Sequence, residues 1–155
     1  MQWKNYREIS REDSEEVKKI LKELISIPSI SGDEDQVRDY LEELLREKNL
    51  DVEKVGGNLV ARIDNGSSRA LHFNAHMDTV EAEEEKWNTG PFNPREDDGK
   101  LYGLGASDLK GAIAALVKTA EILAGKDLDL DLFFEFVVNE EVDGAGSKRL
   151  MESYE

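Results

Sequence analysis

The sequence predicts an α/β fold, a three-layer sandwich built on a mostly parallel mixed sheet. Segments with apolar residues at helical spacing alternate with short β-branched and aromatic runs. Several of the strand-like runs end on an acidic residue or a histidine. Three such positions, His76, Asp108 and Glu141, are separated by 32 and 33 positions, about one β-α repeat, which returns the chain to the same edge of a sheet each time.

Taken in order, Asp13 to Ile27 reads as an amphipathic helix through Val17, Ile20, Leu21, Leu24 and Ile25, with Asp13 and Glu16 in a capping-box pattern. Pro28 ends it. After the turn Ser29 to Asp33, a second helix runs from Asp35 to Lys48 through Val37, Tyr40, Leu41, Leu44 and Leu45. Asp51 to Val55 and Leu59 to Ile63 flank Gly56-Gly57-Asn58 and predict a hairpin. Ala70 to Ala75 predicts a mostly buried strand that delivers His76 to its C-terminal end. Asp98-Gly99 marks a tight turn before Leu101-Tyr102, and Gly103 and Gly105 precede an alanine-rich helix, Lys110 to Leu123, closed by Gly125. Leu128 to Val138 is the strongest strand signal, ending at Asn139-Glu140-Glu141.

A chain of 155 residues suits one domain with a real core. The absence of cysteine excludes disulfides, thiolate metal sites and cysteine nucleophiles, so any metal must use oxygen and imidazole ligands. Met1 to Ser10 is polar, and no apolar run has membrane-spanning length. These features predict a cytoplasmic protein without a membrane partner. A formal net charge of -15 argues against nucleic acid, because a phosphate backbone would be repelled.

Singly, the polar strand ends have ordinary explanations. His76 suits a structural histidine, Asp108 an N-cap for the following helix, and Glu140-Glu141 a solvated loop. Jointly they fit a metal site at the carboxyl ends of strands, where open α/β sheets gather their ligands. In His76-Met77-Asp78 a carboxylate two residues away can orient a liganding imidazole. Asp108 is placed to bridge two cations, and Glu140 and Glu141 offer one base and one ligand. Imidazole with carboxylates suits zinc, with cobalt or manganese as alternatives.

Six ordered motifs then carry a resemblance: Ile27-Pro28-Ser29 with Ser31-Gly32; Asn74 to Val80; Trp87 with Pro91-Phe92; Asp98 to Gly103; Gly105 to Gly111; and Asn139-Glu140-Glu141. From about Val17 to Gly146 the chain resembles the N-terminal half of the catalytic domain of the M20 metallopeptidases, the acetylornithine deacetylase, succinyl-diaminopimelate desuccinylase and carboxypeptidase G2 group. The resemblance implies a zinc-exopeptidase-like fold and a metal-dependent amide hydrolase, a deacylase or peptidase of acyl-amino acids or small peptides. It implies two divalent ions, with His76 binding one, Glu141 the other, Asp108 bridging both, Asp78 orienting His76 and Glu140 acting as general base.

The sequence departs from that pattern at Leu104, where arginine is usual, at Ala75, where glycine is common, and at Glu81, where proline often stands. Members of the group are much longer, with a further acidic ligand, a lid or dimerisation domain and a C-terminal histidine ligand. Residues 1–155 are therefore expected to be a truncated domain with an incomplete second metal site. The alternative reading is a catalytically silent α/β domain that keeps half a metal site and associates with a complementing chain or with itself. His72, the only other histidine, reads as structural and more deeply inward than His76.

Overall fold

A computed structural model describes residues 9–154; residues 1–8 of the polar N-terminal stretch, and Glu155, lie outside that range. The elements are α1 (Arg11–Ser26), α2 (Asp35–Glu47), β1 (Asp51–Val55), β2 (Asn58–Ile63), β3 (Ala70–His76), β4 (Arg95–Asp97), β5 (Lys100–Tyr102), α3 (Gly111–Leu123), β6 (Asp131–Val137) and α4 (Ala145–Ser153). The main sheet has the order β1-β2-β6-β3. It is mixed: β3 runs parallel to β6, while β1–β2 and β2–β6 are antiparallel. β4 and β5 form a separate hairpin around Asp98-Gly99.

Alternation along β6 builds two layers of packing. Leu132, Phe134 and Phe136 join Leu59 and Ala61 of β2 in one core with Ile20 and Leu24 of α1, Leu41 and Leu45 of α2, and Ile113 and Val117 of α3. Phe134 and Phe136 are completely buried, and burial of each contributes about 1.5–3 kcal/mol. On the opposite face, Val137 and Val60 pack against Leu150 of α4. Three helices thus cover one face and α4 covers part of the other, giving the expected three layers.

α1 begins a turn earlier than the sequence pattern suggested. Ser10 is its N-cap, and Ser10 and Asp13 form the reciprocal capping box. Glu16, expected in that role, is drawn instead to Lys48 (2.6 Å) and Lys118 (2.5 Å). β6 is shorter than the predicted Leu128 to Val138. The expectation of a mostly buried β3 is corrected: it is an edge strand whose first half is exposed, with Leu71 45% accessible, and only Ala75 and His76 are buried. α4 was not anticipated. Its chain path depends on the buried Asn58, whose side chain donates to the Gly146 carbonyl and accepts from the Val138 N–H.

Candidate metal centre

Three local structures bring the predicted residues to one place. β3 pairs with β6 so that His76 lies opposite Val137. The Met77 N–H then donates to the Val137 carbonyl, which carries the pairing one step further toward Asp78. β6 ends at Val137, and two residues on Asn139, with a positive φ of 57°, turns the chain and sends Glu140 and Glu141 back toward β3.

The third contributor is the turn of residues 106–110 that leads into α3. Gly105 opens it with φ of 73°, and a Cβ there would sit 2.7 Å from Thr79 Cγ2, so glycine is required by both conformation and space. Lys110 pins the other end. Its ammonium is fully buried and donates to the Leu24 and Ile27 carbonyls, at 2.9 and 2.7 Å, at the C-terminus of α1. Burial pushes its pKa down to about 8. Between these anchors Asp108 leaves helical geometry, with φ −132° and ψ 90° and a cis peptide to Leu109.

Asp108 does not cap α3, since no side chain caps that helix. Its Oδ1 lies 3.0 Å from His76 Nε2. Glu140 Oε2 is 3.9 Å from the same nitrogen. One ligand atom each of His76, Glu140 and Glu141 lie within 4.8 Å of one another, and Glu141 and Asp108 line one open cleft with Thr79, Val80 and Trp87. His76, Asp78, Asp108, Glu140 and Glu141 are therefore gathered at the carboxyl edge of β3 and β6.

Asp78 is placed differently from the simplest expectation. His76 Nδ1 donates to the Asp78 main-chain carbonyl at 2.9 Å, whereas the Asp78 carboxylate is 3.6 Å away. That carboxylate is completely buried. It accepts the Ser31 hydroxyl (2.7 Å) and the Glu140 and Glu141 N–H groups (3.1 Å each). Because a carbonyl can only accept, Nδ1 carries the proton, and Nε2 is the ring atom facing Asp108 and Glu140. Burial disfavours the imidazolium, but the hydrogen bonds to Asp108 and the Asp78 carbonyl, with the charges of Asp78 and Glu140, outweigh it and raise the His76 pKa.

The donor set fits a divalent cation. Nδ1 is occupied by its own strand, Nε2 faces the site, and among the described residues no lysine or arginine forms an ion pair with Asp78, Asp108, Glu140 or Glu141. Imidazole and carboxylates together suit zinc-like ions. His72, expected to be deeply inward, is corrected to a half-exposed position: it stacks on Phe133, and its Nδ1 lies 2.6 Å from Glu135. Ser31, Glu34 and Lys110 were given no role by the sequence reading, because nothing local distinguishes a buried polar side chain from a solvated one.

Comparison with known proteins bears on the family and the fold. The family model described as Peptidase family M20/M25/M40 matches residues 72–155. An acetylornithine deacetylase of Buchnera aphidicola is 30% identical over 147 residues, covering 86% of this chain and 38% of the relative's length. Among solved structures, an M20 metallo-carboxypeptidase of Sulfolobus solfataricus superposes with a TM-score of 0.77 at 24% identity, over 89% of this chain and 34% of that one. A Bacillus subtilis protein described as a dinuclear metal-binding peptidase superposes with a TM-score of 0.71 at 17% identity, over 94% and 40%.

Proposed function

Because the chain belongs to peptidase family M20/M25/M40, we propose that it forms one edge of a metal-dependent hydrolase that cleaves amide bonds in small acyl-amino acids or peptides. The observation that carries this reading is the His76 ring. Its Nδ1 proton is held by the Asp78 carbonyl and its Nε2 is turned toward Asp108 and Glu140. The relatives' names, a deacetylase and a carboxypeptidase, support an acyl- or peptidyl-amide substrate.

In this reading His76, Asp108 and Glu141 would hold two divalent ions, zinc by preference with cobalt or manganese as alternatives, with Asp108 serving both. Bound there, the ions would polarise the substrate carbonyl and lower the pKa of an attacking water. Glu140, 53% exposed in its side chain and 3.9 Å from His76, takes the proton of that water and returns it to the departing amine. Asp78 fixes His76 through its carbonyl and fixes the Glu140-Glu141 backbone through its carboxylate. Val80 and Trp87, beside Asp108 in the cleft, offer apolar surface for the substrate.

The chain spans 38% of the length of the acetylornithine deacetylase it matches, and three candidate ligands for two ions fall short of the three per ion common in catalytic zinc sites. We therefore expect weak zinc binding and slow or no turnover from these 155 residues alone, with further ligands supplied by additional chain or by a complementing copy meeting the free edge of β3. No helix among the described residues is long and apolar enough to cross a membrane, and a cytoplasmic location fits the cysteine-free sequence. Calorimetric zinc titration beside an assay on acetylornithine-like and succinylated substrates tests the reading. Zinc binding lost in His76→Ala supports it, whereas a chain indifferent to divalent ions would abandon it for the silent domain.

A further inference from the structure

The loop that presents the two glutamates is gripped from behind. Asn139, Glu140 and Glu141 are consecutive, and each N–H meets a carboxylate oxygen. Asn139 donates to Glu34 Oε1 at 3.0 Å, Glu140 to Asp78 Oδ1 and Glu141 to Asp78 Oδ2, both at 3.1 Å. Both accepting side chains are buried, Asp78 at 0% and Glu34 at 5% accessibility. A buried carboxylate is costly unless donors satisfy it; Asp78 accepts from Ser31, Glu140 and Glu141, and Glu34 from Asn139. Successive amides form a concavity suited to an anion, and here the anions come from the protein itself.

Glu34 occupies a position that would ordinarily serve a different purpose. It is the residue preceding α2, yet its side chain makes no capping bond to that helix and reaches across to Asn139, 105 positions away. Asn139 is the residue at which the chain turns, with φ of 57°, and its carbonyl is held in turn by the Asp143 and Gly144 N–H groups. Glu34 thus fixes the pivot and Asp78 fixes the two residues beyond it. With the backbone donors of the loop used on the inner side, the Glu140 and Glu141 side chains are left to project toward His76.

We propose that Glu34 is a positioning residue for the divalent-cation site, acting through the Asn139 amide to set the direction of Glu140 and Glu141. The proposal rests on the metal-dependent reading above. Without Glu34 the part-buried Asn139 N–H loses its carboxylate acceptor, and the turn is free to rotate the glutamates away from Asp108 and His76.

The test compares Glu34→Ala and Glu34→Gln with the parent chain by zinc titration, far-UV circular dichroism and amide hydrogen exchange at residues 139–141. Glu34→Ala should keep the parent spectrum, exchange faster at Asn139 to Glu141 and bind zinc about 10–100-fold more weakly, as is typical when a group supporting a metal ligand is lost. Glu34→Gln retains an acceptor oxygen of the same reach and should recover both protection and affinity. Parent-like zinc binding and protection in Glu34→Ala, or failure of Glu34→Gln to restore them, would overturn the proposal. Should Glu34→Ala unfold, Glu34→Gln decides alone, parent-like behaviour supporting the proposal and loss overturning it. Should the parent itself bind no zinc, the metal reading falls, and the exchange comparison still decides whether Glu34 positions the loop.

Discussion

Two clusters of charged side chains are joined by α3, and they are balanced in different ways. Midway along α3, Lys118 meets Asp13 (3.1 Å), Glu16 (2.5 Å) and Glu121 (2.9 Å), while Lys48 meets Glu16 (2.6 Å) and Glu121 (2.9 Å). Three carboxylates there share two ammonium groups, and the knot ties α1, α3 and the residue after α2 together. Just before α3 begins, Asp78, Asp108, Glu140 and Glu141 surround one imidazole with no ammonium or guanidinium partner among the described residues. The first cluster is complete as it stands. In the proposed reading a cation completes the second, and that contrast would separate a structural arrangement of charge from a functional one.

The largest expected effect lies in the knot. Lys118→Met removes the buried ammonium that meets the buried Asp13 and leaves Glu16 and Glu121 with Lys48, so chemical denaturation should show a loss of about 3 kcal/mol. Zinc affinity measured on the folded fraction should be unaltered; an equal loss of both would dissolve the distinction between the clusters.

His76→Ala is the mirror experiment. Zinc affinity should fall by about 100-fold or more, since a ligand rather than its support is removed, while the melting temperature of the metal-free protein changes little. The neutralising substitution Glu141→Gln sharpens the contrast further. Without metal it should leave the melting temperature unchanged or slightly raised, because it relieves repulsion among acids, whereas Glu16→Gln should lower it.

Acid titration probes the knot. Hydrogen bonds from Lys118 and then Lys48 hold the Glu16 carboxyl below its ordinary 4.5. Glu121 is also lowered, its lysine bonds outweighing a burial effect that would raise it. Both groups stabilise the fold fully above the unfolded value and lose that contribution as pH falls through the lower folded value. Denaturation from neutrality down past 4.5 should therefore show falling stability, and a Glu16→Gln variant should show a shallower fall. An unchanged slope would mean that the knot is not the acid-sensitive element.

The smallest effect is expected at Ser31, whose hydroxyl braces Asp78. Ser31→Ala should cost about 1 kcal/mol by denaturation and lower zinc affinity only modestly by titration. A loss of affinity as large as that of His76→Ala would give Ser31 a far greater part than bracing.

Much of this contrast was legible in the sequence on one side only. His76 and the Glu140-Glu141 pair stand at or just past strand ends, which follow from hydrophobic pattern, so that part of the gathering could be read without coordinates; Asp108, expected at a strand end, sits instead in the turn before α3, after the separate β4–β5 hairpin. α2, α3 and the β1–β2 hairpin followed from the same kind of signal. The knot could not be read, because Glu16 looked like a capping residue and nothing in the pattern singled out Lys118; their pairing depends on how α1 lies against α3. Glu34 and Lys110 were hidden for the same reason. The exposure of β3 was misjudged because pattern reports which side chains are apolar, not which strand lies at the edge, and Asn58 gave no local sign that it would anchor the path to α4.

The position of β3 has a bearing on how the site comes apart. Among the described residues β6 is hydrogen-bonded on both sides, and β3 on one, so local opening in this part of the sheet costs less at β3. Its exposed start, Ala70 to His72, can fray while His76 stays anchored through the Met77 bond to Val137 and the Thr79 bonds with Ser29 and Ser31. Thermal breathing is thereby confined to the end of the strand away from the imidazole, and the Ser29–Ser31 segment acts as the rivet that keeps such breathing from reaching the acids.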